Sequence, residues 1–148
     1  MTLFSFSGLS PIRGSKNGGD GVNLTLAMAR YVDGFVIPIK KSKLAAYKKM
    51  AIVGRNAWMK FGALDYYECV ADDTKMPYGG TPLPKMAKLK AGETVVFSFI
   101  VFKSKAHRNA VNKKVHAYFA EKYGTDGGDM PFDTKRFSMA GCKVIVRG

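Results

Sequence analysis

Residues 94–102 read Thr-Val-Val-Phe-Ser-Phe-Ile-Val-Phe, and apolar side chains occupy both phases of a two-residue alternation. Val95, Phe97, Phe99 and Val101 fall on one side, and Val96, Ile100 and Phe102 on the other, with Ser98 as the interruption. A strand apolar on both faces predicts burial on both. Three more stretches predict strands. The first, residues 31–39, is Tyr-Val-Asp-Gly-Phe-Val-Ile-Pro-Ile, with Pro38 suiting a strand end or an edge. Residues 63–71 form the next, stopped by Asp72 and Asp73. The last, residues 137–146, ends in Gly-Cys-Lys-Val-Ile-Val.

Two stretches change period. After Ser42, an expected N-cap, Leu44, Tyr47, Met50, Ala51, Gly54, Ala57, Trp58 and Phe61 recur at three- and four-residue spacing, while Lys48, Lys49, Asn56 and Lys60 take the other face. Gly62 fits the stop. Ser104 is expected to cap a second helix running to about residue 122, with Val111, Val115, Tyr118 and Phe119 as its core stripe. A loop rich in proline and glycine joins the second and third strands, and residues 124–129 make a turn-rich break before the last.

The order is strand, helix, strand, strand, helix, strand. Lys-Ser-Lys occurs at 41–43 and again at 103–105, each time at a strand exit, so the chain reads as a split βαβ repeat. The expected fold is α+β and ferredoxin-like, a four-stranded antiparallel sheet with two helices on one face. The doubly apolar third strand cannot leave its second face in water. A second copy packed sheet to sheet would cover it, so a homodimer through the open sheet face, a dimeric α+β barrel, is expected.

At 148 residues and 47% hydrophobic, the chain suits one domain, placed at residues 29–148. Residues 1–28 differ, because Gly-Ser-Lys-Asn-Gly-Gly-Asp-Gly at 14–21 is linker-like and its apolar flanks are short. They are expected to be a flexible extension, with Met28 as an alternative initiator. No apolar run approaches the roughly 18 residues of a membrane span, and the first residues lack a secretory signal, so a cytoplasmic location without membrane contact is expected. Cys69 and Cys142 lie far apart in strand-like runs and are expected to be reduced and buried. The 24 Lys plus Arg against 11 Asp plus Glu give a net charge of +13, which would attract nucleic acid or other polyanions. The basic residues are spread along the chain, so a solvated basic surface is favoured over a dedicated nucleic-acid tract.

Chemistry is sparsely signalled. His107 and His116 point to opposite sides of one predicted helix, and no cluster has metal-ligand spacing, so neither metal nor cofactor is expected. Lys105, His107 and Arg108 put positive charge at a helix start, where free backbone amides also favour an anion, and form a candidate anion site. The competing and favoured expectation for Arg108 is that it carries its head past the helix end into water; an acidic partner such as Asp33 or Glu68 would be needed if it turned inward. Asp33, Trp58, Tyr66, Glu68 and Ser98 form a candidate pocket, placed where dimerisation should bury them. Core and interface packing explain the same residues without a ligand, and that plainer reading stands first.

Five segments in order then resemble one family: 30–39 (Arg-Tyr-Val-Asp-Gly-Phe-Val-Ile-Pro-Ile), 62–70 (Gly-Ala-Leu-Asp-Tyr-Tyr-Glu-Cys-Val), 92–108, 130–137 (Met-Pro-Phe-Asp-Thr-Lys-Arg-Phe) and 141–146. The chain is similar to the small bacterial proteins grouped as domain of unknown function 1428, over residues 29–147. That resemblance implies a dimeric α+β barrel and no established reaction. Its wider superfamily includes monooxygenases, isomerases and small-ligand binders, so an uncharacterised protein binding or oxidising a small organic molecule in a helix–sheet cavity is the leading expectation, with enzymatic activity resting on fold analogy alone. The alternative is a non-catalytic binding protein for nucleic acid or another polyanion.

Overall fold

A computed structural model describes residues 30–124 and 128–148, so the expected N-terminal extension lies outside the described residues. The elements are β1 (Tyr31–Lys40), α1 (Leu44–Lys60), β2 (Asp65–Val70), α2 (Leu83–Met86), β3 (Glu93–Phe102), α3 (Lys105–Tyr123) and β4 (Ser138–Lys143). The four strands make one antiparallel sheet in the order β2-β3-β1-β4, an open mixed α+β arrangement with three helices.

Register follows from burial. Asp33 pairs with Ile100, Ile37 with Val96 and Tyr31 with Phe102, so these side chains share the face beneath α1 and α3. On β2, Tyr66 pairs with Ile100 and Glu68 with Ser98, on the same face. The core there has two parts. Ile100 and Phe102 meet Ala57 of α1 and Val111 and Val115 of α3, while Ile37, Ile39 and Val96 meet Tyr47 and Ala51. Phe102 is fully buried, a placement that contributes roughly 1.5–3 kcal/mol for a side chain of that size.

The opposite face carries Val32, Val36 and Pro38 from β1, Val95, Phe97, Phe99 and Val101 from β3, and Tyr67 and Cys69 from β2. It is not bare throughout. Val95 is 0% exposed and Pro38 is buried, because the β2–β3 connection, with α2 in it, folds back under that end of the sheet. Further along, Phe97 stays 45% exposed and Tyr67 49% exposed, and Tyr67 stacks on Phe99 with ring centroids 4.8 Å apart.

Several expectations are corrected. Ser42 does not cap α1: Lys41–Lys43 first make a 3-10 turn, and no side chain caps the helix that follows. Ser104 does cap α3, its Oγ accepting from the His107 backbone N–H at 3.1 Å. The proline-rich loop contains one helical turn, tolerated because Pro84 lies where its missing N–H is not needed. Cys69 and Cys142 are exposed, not buried, since β2 and β4 are the sheet edges and both thiols point to the open face. No helix among the described residues is long and apolar enough to cross a membrane.

One ion pair fastens the connection to the sheet. The Arg136 guanidinium grips Glu93 at 2.6 and 2.9 Å and also donates to the Lys88 carbonyl at 2.9 Å. Lys88 itself holds a left-handed φ of 51°, unusual for a residue with a Cβ. The Arg136 hydrogen bonds, helped by the Lys90 backbone N–H, hold the Glu93 carboxyl down at about 2. A carboxylate with a lowered folded-state pKa stabilises the fold above its unfolded value and loses that contribution as pH falls toward the folded one. Wild type should therefore exceed Glu93→Gln in urea-unfolding stability by a constant margin above about pH 5, shrinking toward zero by about pH 2. A margin independent of pH would contradict the pairing.

Candidate functional site

Every candidate pocket residue lies on or against the helix-covered face of the sheet. Asp33, Tyr66, Glu68 and Ser98 do not lie on the open side, where the sequence places them between two subunits; their register sets them under α1 and α3. Strand parity explains it: each shares the phase of Ile100 rather than of Phe99.

Two polar clusters result. In the first, the Asp33 side chain is 2% exposed and receives two groups from one turn of α3. Arg108 brings its Nε to 3.2 Å from Oδ1, and Asn112, four residues on, donates through Nδ2 to Oδ2 at 3.1 Å. The Arg108 N–H is not aligned on Oδ1, so that contact is an electrostatic pair rather than a formed hydrogen bond. The remainder of Arg108 is held by Tyr31, whose hydroxyl accepts at 3.3 Å and whose ring lies 5.1 Å from the guanidinium. Gly141 of β4, paired with Asp33, leaves room for this: a Cβ there would stand 2.6 Å from both the Arg108 terminal nitrogen and the Tyr31 hydroxyl. Asn112 in turn accepts from Trp58 Nε1 at 2.9 Å, which ties α1 to α3.

The second cluster centres on Glu68. Its two carboxylate oxygens accept separately, one from the Tyr47 hydroxyl at 2.6 Å and the other from Tyr66 at 2.7 Å. Burial first, then the bond to Glu68, pushes both phenols well above their ordinary range, so they remain proton donors at neutral pH. Tyr47 is fully covered, whereas Tyr66 and Glu68 on the edge strand are half-buried. Gly54, in the middle of α1, lets the Tyr66 hydroxyl approach; a Cβ there would be 3.1 Å from it. The Trp58 and Tyr66 rings, 6.2 Å apart, connect the two clusters, and Ser98 is buried on β3 opposite Glu68.

Lys105, His107 and Arg108 go three ways. Arg108 turns inward to Asp33, Lys105 is exposed, and His107 Nδ1 accepts from the Lys103 backbone N–H at 3.1 Å. Burial, followed by the charges of Lys103 and Lys114, lowers the His107 pKa, which keeps the ring neutral at physiological pH. No group of three possible metal ligands is assembled among the described residues.

Tyr31, Tyr47, Asn112 and Gly141 were not singled out from the sequence. Asn112 carried a signal, since it stands four residues after Arg108 and therefore on the same side of α3. Tyr47 carried another, a polar group on the apolar stripe of α1 that needs a buried acceptor. Removing the carboxylate in Asp33→Ala leaves a guanidinium and an amide uncompensated and should cost about 3 kcal/mol of unfolding free energy, with Asp33→Asn milder because one acceptor remains. A loss in Asp33→Ala no larger than that of an exposed substitution would contradict this role.

Comparison with known proteins agrees with the resemblance seen in the sequence. The chain is 38% identical over 118 residues to the "Uncharacterized protein YbaA" of Escherichia coli K12, a match covering 79% of this chain and 97% of the relative. The protein of the same description from Shigella flexneri matches to the same extent. Among solved structures, "De novo designed protein Foldit4" aligns over 80% of this chain and 99% of its own at 11% identity and a TM-score of 0.36. The family model described as "Protein of unknown function (DUF1428)" matches residues 30–134, and the chain belongs to that family.

Proposed function

We propose that this protein is a homodimer of ferredoxin-like subunits, a dimeric α+β barrel, and that each subunit binds a small organic molecule between α1 and the β2 edge of the sheet. The sheet order, read from the opposite edge as β4-β1-β3-β2, supports the ferredoxin-like assignment. Dimerisation is supported by the uncharged middle of the open face. In a chain of net charge +13, that face lets two copies meet without bringing lysines together, and Phe97, Phe99 and Tyr67 supply aromatic area for the contact.

Ligand binding rests on one observation: Glu68 is held by two phenolic donors at 2.6 and 2.7 Å beside Trp58, yet remains half-buried at an edge strand. An aromatic molecule with a hydroxyl or carbonyl fits this mixture of ring surface and hydrogen-bonding groups. The Glu68 carboxylate would accept from a ligand hydroxyl, and a ligand carbonyl would take the Tyr66 proton only by turning that phenol away from Glu68. Asp33, Trp58 and Ser98 complete the floor and rear wall in this reading.

Thermal unfolding with a panel of simple phenols and quinones provides the test. A ligand that raises Tm in wild type, unaffected by moderate salt, and does so less in a Tyr66→Phe variant supports the reading. Stabilisation by heparin alone, abolished by moderate salt, would overturn it in favour of charge-driven polyanion binding.

A further inference from the structure

A second site lies on the other side of the sheet, where the β2–β3 connection meets β1 and the approach to β4. There the chain lines a half-open cleft of about 320 Å³, at the small end of the roughly 300–1,000 Å³ typical of small-molecule sites. Val36, Pro38 and Met86 give it an apolar wall. Lys88, Lys135 and Arg136 stand around the rest, with Ser138 beside them. The geometry points to a binding site for a small monoanion with an apolar body, of the class of a short-chain carboxylate.

Three features converge on that ligand. The site is anchored, because Arg136 is fixed by Glu93 and by the Lys88 carbonyl, so the walls drawn from three chain segments are held together before anything binds. Its charge is unbalanced. Glu93 offsets Arg136, while Asp133 accepts only from the Lys135 backbone N–H, at 2.9 Å, so the lysine ammoniums leave the rim cationic. A cationic rim beside an apolar wall suits an anionic head on an apolar body. Among the described residues, neither Lys88 nor Lys135 is engaged in an ion pair, so each ammonium is available to a ligand head while the methionine and the strand side chains receive its tail.

This site is independent of the Glu68 cluster, which occupies the opposite face of the sheet, and an experiment that reports position separates them. Isotope-labelled full-length protein is titrated with hexanoate, and in parallel with hexanol, while backbone amide resonances are followed. Hexanoate should give saturable shifts at Val36, Lys88 and Ser138, hexanol should give none that saturate, and Lys135→Gln, an exposed substitution, should weaken hexanoate binding about fivefold. Three results would overturn the assignment: no saturable shift with hexanoate, equal response to hexanol, or shifts at Tyr66 and Glu68 instead. The last would place carboxylate binding at the other site.

Discussion

The two-sided apolarity of β3 is the constraint on which the architecture depends. β3 occupies an inner position with β1 on one side and β2 on the other, and its ten residues place side chains alternately above and below. One set, from Val96 to Phe102, is covered by α1 and α3. The other set meets two different environments: Val95 is sealed by the folded-back connection, and Phe97 remains in the open. The helices, the connection and the unpaired aromatic surface are thus three responses to one strand.

Beneath the helices the same sheet carries one buried acid, Asp33, and one half-buried acid, Glu68, and each has an arrangement of donors specific to one packing of the helix layer. Asp33 is met by Arg108 and Asn112 from one side of α3, and Glu68 by Tyr47 from α1 and Tyr66 from its own strand. Such groups add little net stability over apolar substitutes, but a shift of either helix along the sheet would leave charge unpaired in the interior. Their effect is to fix helix position. The Trp58–Asn112 bond couples α1 and α3 at the same level, so the two helices are registered against each other as well as against the sheet.

Much of this was legible in the chain. Alternation in residues 94–102 placed β3 and its two faces, and the three- and four-residue spacing of Tyr47, Ala51 and Trp58 placed α1. Three things were not legible, for physical reasons. The face occupied by Asp33 and Glu68 depends on cross-strand register, which is set by long-range pairing with Ile100 and Ser98. The exposure of Cys69 and Cys142 depends on β2 and β4 being edges, which local sequence does not reveal. Ser42 and Ser104 sit in the same Lys-Ser-Lys triplet, but only Ser104 has the extended backbone that lets its hydroxyl reach back to the helix; Ser42 is absorbed into a 3-10 turn.

Surface charge and the open face complement each other. Lysines cover much of the exterior, whereas the two middle rungs of the open face hold Phe97, Phe99, Tyr67, Cys69 and Val36 without a charged side chain, and Asp65 stands on the next rung at the β2 edge. Pairing of that face with its own copy is the central claim, and sedimentation equilibrium of wild type beside Phe97→Asp tests it most directly. Phe97 is half-exposed in the single chain, so the variant leaves the subunit core intact. The account predicts a mass of two chains for wild type and of one chain for the variant, whereas a monomeric wild type, or a variant that dimerises equally well, would contradict it.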